Sequence, residues 1–246
     1  MIEAIAEAIA PAPGERVVEI GPGLGALTAA LLARIPHIAA IEIDRDLAAR
    51  LAKRFSVRQL ELHVADALVF DFAAYAALGA LRIVGNLPYH ISSALLVRLA
   101  ALREVIVDQH FMLQREVVQR ITAGPGSKDY GRLTVLLAAH YECESVLEVP
   151  PEAFDPPPRV DSAVVRMRVR AQPQTTALAE LAAVLSAAFG QRRKMLRGTL
   201  LPWLAAQGVA ADDIVPTARA EELAPAVYFA LAERVALSRA QRGGAR

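Results

Sequence analysis

Short apolar runs alternate with amphipathic stretches over the first 120 residues. Val17-Val18-Glu19-Ile20, His37 to Ile43, Leu60 to Ala65, Leu81 to Val84 and a run opening with Val105-Ile106-Val107 read as buried strands. Ala26 to Arg34, Arg45 to Arg54, Ser92 to Leu102 and Glu116 to Ala123 carry helical spacing. The opening residues, Met1 to Glu7, read as one side of an amphipathic helix stopped by Pro11 and Pro13. Strand and helix in alternation predict a parallel, doubly wound α/β sheet.

The pattern changes at the Gly/Pro/Ser loop 124–127. A helix is expected over 132–141 and strands over 145–149 and 162–169. In the last of these Val164, Val165, Met167 and Val169 are interleaved with Arg166, Arg168 and Arg170. Residues 150–158 are proline-rich, a stiff extended loop that cannot join a ladder. A linker, 171–176, leads to a tail with helical pattern throughout. Two domains follow: residues 1–171 built on the sheet, and a small all-helical domain, residues 172–246.

Apolar residues make up 54% of the 246, enough for a sizeable core. No run approaches the roughly 18 apolar residues of a membrane span, and no membrane partner is expected. The acidic start is unlike a secretory signal. The single cysteine, Cys143, excludes an internal disulfide and the common thiolate zinc sites. It fits a reducing, cytoplasmic setting. His37, His63, His90, His110 and His140 lack ligand spacing, so no metal site is expected. Charge is unevenly spread. Residues 1–158 hold 14 Lys and Arg against 19 Asp and Glu, while residues 159–246 hold 13 against 7. A basic second region suggests a polyanionic partner, although arginine as the favoured surface residue would give the same balance.

Chemistry gathers where strands end. Glu19-Ile20-Gly21-Pro22-Gly23-Leu24-Gly25 follows the first strand and opens a helix. Its glycines permit a tight turn and close approach of a ligand to the backbone. The spacing is G-x-G-x-G, not the G-x-G-x-x-G of dinucleotide binding. Glu42 ends the second strand, where a carboxylate can accept both hydroxyls of a ribose. Asp66 ends the third and can take an adenine amine. Either acid could instead be a helix cap. Asn86-Leu87-Pro88-Tyr89 follows the fourth. An Asn-X-Pro sequence is common in plain turns, but a side-chain carbonyl beside an aromatic ring also suits a planar, amine-bearing group. Arg192, Arg193, Lys194 and Arg197 read either as a solvated helix face or as phosphate contacts, and the charge of their region favours phosphate.

These motifs in order resemble the S-adenosylmethionine-dependent methyltransferases of the ribosomal RNA adenine dimethylase family. Val149 to Ser162 and Phe189-Gly190-Gln191-Arg192-Arg193-Lys194-Met195-Leu196-Arg197 are similar to its kasugamycin-sensitivity type rather than to the erythromycin-resistance methylases. The resemblance runs from about residue 3 to about residue 235 and implies a Rossmann-like methyltransferase sheet with a small helical RNA-binding domain. It implies S-adenosylmethionine held by Glu19, Gly21, Gly23, Gly25, Glu42, Asp66 and Asn86. Asn86 and the Leu87 carbonyl would accept the N6–H bonds of a target adenine, with Tyr89 and Phe154 stacking on its faces. The substrate implied is a pair of adjacent adenosines near the 3′ end of small-subunit ribosomal RNA, within a pre-ribosomal 30S-type particle. No assembly motif is evident, and a monomer is expected. The family's upstream segment with a Gln-Asn-Phe-Leu motif is absent, so a missing N-terminal segment and weakened cofactor binding are expected. Competing readings are an NAD-dependent oxidoreductase, disfavoured by the glycine spacing, and a non-catalytic assembly or nucleic-acid-binding factor.

Overall fold

The computed structural model describes residues 1–153 and 160–243, with the backbone alone for Tyr89, His90, Ala153 and Gly243. The chain forms two compact units. One comprises Met1–Val118 and Glu142–Val169; the other comprises Gln119–Tyr141 and the chain from Arg170 onward.

The first unit opens with α1 (Ile2–Ile9), which buries Ile5, Ala6 and Ile9 and closes at Ala10 in the left-handed conformation, just before Pro11. The alternation then runs β1 (Arg16–Ile20), α2 (Ala26–Leu32), β2 (Ile38–Glu42), α3 (Arg45–Arg54), β3 (Leu60–Val64), α4 (Phe72–Tyr75), β4 (Leu81–Asn86), α5 (Tyr89–Ala100), β5 (Ile106–Gln114) and α6 (Arg115–Thr122). After α7 (Arg132–Ala138) come β6 (Tyr141–Val149) and β7 (Ser162–Val169). The seven strands lie in the order β3-β2-β1-β4-β5-β7-β6.

The first five strands are parallel, as their alternation with helices predicts. β7 is antiparallel to β5, with Gln114 opposite Ser162 and Asp108 opposite Arg168, so the sheet as a whole is mixed. The reversal follows from where the chain re-enters. Arg115 donates its backbone N–H to the Asp161 carbonyl at 2.9 Å and bonds the Asp161 carboxylate at 2.7 Å. This ties the start of β7 to the end of β5.

Apolar residues on one face of the sheet, Val17, Ala40, Val84, Met112 and Val164, form a core with Ile5 and Ile9 of α1, Leu31 of α2 and Leu51 of α3. Within it sits a charged cluster. Buried Arg82 donates from Nε and Nη2 to both oxygens of Asp108 at 2.9 and 2.8 Å, and from Nη1 to Glu15 at 2.5 Å. Its remaining donors reach the carbonyls of Ile9 and Ala10, which would otherwise be left at the end of α1.

The second unit packs α7 with α8 (Leu178–Phe189), α9 (Leu200–Ala206) and α10 (Pro225–Gly243). Its core holds buried Tyr130 and Tyr228, with the Phe189 ring 6.2 and 5.6 Å from theirs. Each hydroxyl is satisfied: Tyr130 donates to the Leu223 carbonyl at 2.9 Å, Tyr228 to that of Ala220 at 2.6 Å. The sequence division at 171/172 therefore differs from the units. Tyr130, Val135 and Ala139 belong to the helical core, because their contacts lie with residues such as Leu223, 93 positions on. The helix expected over 132–141 stops at Ala138, and Tyr141 already opens β6. Strand pairing overrides the helical pattern there.

Candidate active site

The sheet order reverses between β1 and β4. Open α/β sheets bind ligands outside the carboxyl ends of strands at such a switch point. Because the strands lie as β3-β2-β1-β4, their ends set Asp66, Glu42, Gly21 and Asn86 side by side. The four come from motifs spread over 65 positions of sequence, from Gly21 to Asn86, and the sheet makes them neighbours.

The turn after β1 begins on the ladder, where Gly21 donates to the Ile41 carbonyl at 2.9 Å. Gly21, Gly23 and Gly25 have φ of 67, 58 and 78°, left-handed values that side chains resist. Gly25 is additionally closed by packing: a Cβ there would stand 2.8 Å from both Leu51 and Phe55. Glu42 braces the turn from β2. Its carboxylate accepts from the Gly23 N–H at 3.1 Å and the Asp44 N–H at 3.0 Å. An ionised carboxylate has about four acceptor sites, so Glu42 keeps capacity for two hydroxyls. Asp66 lies two residues past the end of β3. One oxygen accepts from the Leu68 N–H at 2.8 Å, and the other has no hydrogen bond among the described residues.

Glu19, like Glu42, is buried, but it lies within β1 behind the glycine turn and accepts the Thr28 hydroxyl of α2 at 2.6 Å. Burial pushes its pKa up from 4.5 to about 7; the Thr28 hydrogen bond opposes the rise and the Glu42 charge adds to it. Glu19 thus supports the turn from beneath.

Asn86 is the last residue of β4 and is exposed, and its side chain has no hydrogen bond among the described residues. Leu87 is buried and anchors the corner by donating its N–H to the Met112 carbonyl at 3.2 Å. Pro88 then caps α5, which begins directly at Tyr89. The Asn86 backbone carbonyl lies 3.7 Å from where a Gly21 Cβ would stand, so the glycine turn and the Asn86 corner touch. Their approach requires Gly85, because a Cβ there would lie 2.4 Å from the Ile20 carbonyl oxygen. Phe154 and the Tyr89 side chain lie outside the described residues.

Three residues of the site escape the sequence reading. Gly85 has a signal, a glycine inside an apolar strand, which marks close backbone approach. Ile43, next to Glu42, is 67% exposed and offers an apolar surface beside the strand end; in sequence it merges with β2. Thr28 carries no signal.

The basic run lies in the second unit. α8 ends at Phe189, residues 191–194 form a turn, and Arg197 sits in a short 3-10 helix, Leu196–Gly198, so the four charges do not share one α-helix face. Arg192 braces that turn, donating to Glu221 at 3.1 Å and to the carbonyls of Lys128 and Tyr130. Arg193, Lys194 and Arg197 are exposed. Among the described residues, no group of three or more His, Cys, Asp or Glu could hold a metal ion. No helix there is long and apolar enough to cross a membrane.

The chain is similar to known proteins along nearly its whole length. The family model described as Ribosomal RNA adenine dimethylase matches residues 1–237. The Ribosomal RNA small subunit methyltransferase A of Bordetella petrii is 54% identical over 237 residues, covering 95% of this chain and 89% of that protein. The protein of the same name from Methylibium petroleiphilum is 52% identical over 234 residues, covering 94% and 90%. Among solved structures, a dimethyladenosine transferase from Plasmodium falciparum has a TM-score of 0.78 at 23% identity, covering 98% of this chain and 96% of that one, a likeness of fold alone. The 23S rRNA methyltransferase ErmE has a TM-score of 0.70 at 29% identity, covering 96% of each chain.

Proposed function

The chain belongs to the ribosomal RNA adenine dimethylase family, and we propose that it transfers methyl groups from S-adenosylmethionine to the N6 amines of two adjacent adenosines near the 3′ end of small-subunit ribosomal RNA. The product is N6,N6-dimethyladenosine. The observation that carries this reading is the contact between the Asn86 corner and the glycine turn at the β1/β4 switch point.

The residues present fit the cofactor. The left-handed glycines leave backbone accessible for the methionine part, Glu42 keeps acceptors for the ribose hydroxyls, and the free Asp66 oxygen suits the adenine amine. When bound, S-adenosylmethionine supplies an electrophilic methyl group on a sulfonium cation. The chain's own task is to prepare the nucleophile. An adenine amine reacts poorly because its lone pair is delocalised into the ring. Asn86 Oδ1 and the Leu87 carbonyl each accept one N6–H, which localises the lone pair and fixes its direction. After one methylation a single N–H remains, and one acceptor suffices to hold it. No strong base is needed, since the proton leaves readily once the nitrogen is cationic. Tyr89 and Phe154 stack on the base, which leaves its RNA stack at a cost of roughly a few kcal/mol.

Arg193 and Lys194, on a turn held by Arg192, and Arg197 just beyond it meet phosphates. Replacing each of the three by Ala in turn is expected to weaken RNA binding uniformly across sequences and to lower the log–log salt slope by about one per residue. An unchanged slope removes these residues from the interface. The protein acts in the cytoplasm, as a monomer, on a pre-ribosomal 30S-type particle. The reaction is tested by incubating the chain with labelled S-adenosylmethionine and small subunits lacking the modification, then analysing nucleosides. Labelled N6,N6-dimethyladenosine is expected; label in any other nucleoside, with none in adenosine, contradicts the reading.

A further inference from the structure

A second polar recess opens one strand beyond the Asn86 corner. It has a volume of about 300 Å³ and is lined by Gln114, Arg115, Glu116, Val160 and Asp161. The ladder sets its place. Asn86 pairs with Met112, and Gln114 pairs with Ser162. Side chains alternate faces along a strand, so Gln114, two past Met112, projects from the same face as Asn86. Strand spacing and rise put the two about 8 Å apart. Gln114 is half-buried, and its side chain has no hydrogen bond among the described residues. A free primary amide is a donor and an acceptor side by side.

Charge decides what the recess can hold. The Arg115 guanidinium is matched by Asp161 at 2.7 Å, and Glu116 adds a second acid to the lining. Among the described lining residues a phosphate would meet net negative charge. A base edge carrying an amine would meet acceptors. Among such edges, a glutamine amide pairs with the N6 and N7 of adenine together. We propose that this recess is a second base subsite, in which Gln114 reads an adenine adjacent in the RNA to the one held at Asn86. This rests on the adenine-N6 reading above and deepens it: Asn86 selects the base that reacts, and Gln114 selects its neighbour. A dimethylated neighbour has no N6–H to donate to Gln114, so the later nucleoside of a pair is methylated without that contact.

The test compares kcat/KM of the full chain on unmodified small subunits reconstituted with adenosine, uridine or N6,N6-dimethyladenosine beside one target adenosine. The wild-type chain is expected to favour an adenosine neighbour by about 5–100-fold over either alternative. Gln114→Leu, of similar volume but without hydrogen bonds, should bring the ratio within about twofold while leaving the uridine-neighboured substrate unaffected. A general folding defect would slow all substrates alike and leave the ratio in place. A wild-type chain indifferent to the neighbour, or a Gln114→Leu variant that keeps the preference, overturns the proposal while the parent reaction stands. Absence of dimethyladenosine from every wild-type reaction overturns the parent reading itself.

Discussion

The two ends of strand β4 carry polar residues of opposite kinds. Arg82 at the amino end and Asn86 at the carboxyl end lie on the same face, about 13 Å apart by strand rise. Arg82 is buried and spends its donors on Asp108, Glu15 and two helix-end carbonyls. Asn86 is exposed, and its amide has no hydrogen bond among the described residues. Saturation at one end and held-back capacity at the other separate holding the fold from binding a ligand. One acid repeats the contrast: both oxygens of Asp108 are bonded by Arg82, whereas Asp66 at the rim has one oxygen with no hydrogen bond among the described residues.

The strongest way to break the comparison is to unbalance the saturated end. Arg82→Met strands Asp108 without its partner and is expected to cost about 3–5 kcal/mol in urea unfolding. Arg82→Met with Asp108→Leu should recover much of that, because an apolar replacement of a buried pair is often neutral. S-adenosylhomocysteine affinity of the folded fraction should stay near wild type in both. A large loss of affinity would show that the two ends are not separable.

A subtler test lies between the ends. Val84 of β4 is flanked in the ladder by Glu19 of β1 and His110 of β5. Burial lowers the His110 pKa from 6.5 to about 4; the Asp108 charge opposes the shift, and Arg82 and Arg166 add to it. Below pH 6.5 the unfolded chain takes up this proton first. His110 therefore contributes stability that is whole above pH 6.5 and is lost as pH falls toward 4. Glu19 runs the other way. Its pKa is raised to about 7, so its contribution is whole below pH 4.5 and lost as pH rises through 7. Each swing is on the order of 3 kcal/mol. The two slopes oppose each other between pH 4.5 and 6.5. His110→Leu should unmask a stability that falls with rising pH, and Glu19→Gln one that rises with it. Parallel curves for the two variants would contradict the assignment.

Gly85→Ala probes the rim at lower cost. Its Cβ would press on the Ile20 carbonyl and part β1 from β4, destabilising by about 1–3 kcal/mol. The same displacement moves the glycine turn away from Asn86, so S-adenosylhomocysteine affinity should fall as well. Lost stability with unchanged affinity would mean that the contact between turn and corner is incidental.

The rim was the legible part of this molecule. Glycines, acids and an asparagine placed just after apolar runs announce strand ends, and ligands sit at strand ends. The cluster at Arg82 was not legible, because a lone arginine between Leu81 and Ile83 looks like an interruption until Asp108 is paired with it. The direction of β7 was hidden, since a valine run reads the same either way. The helical unit's claim on Tyr130 rests on a contact with Leu223 that no local pattern encodes. Arg192 looked like its neighbours, and only the fold shows its guanidinium bonded to Glu221 and to the Lys128 and Tyr130 carbonyls.

The central claim is that Asn86 is held in reserve for the reacting amine and for nothing structural. Single-turnover methyl transfer by Asn86→Ala, measured beside its RNA affinity and thermal midpoint, tests it most directly. The rate is expected to fall by about 10²–10³-fold, with affinity and midpoint close to wild type. A rate near wild type, or a loss matched by equal losses of RNA affinity and stability, would contradict it.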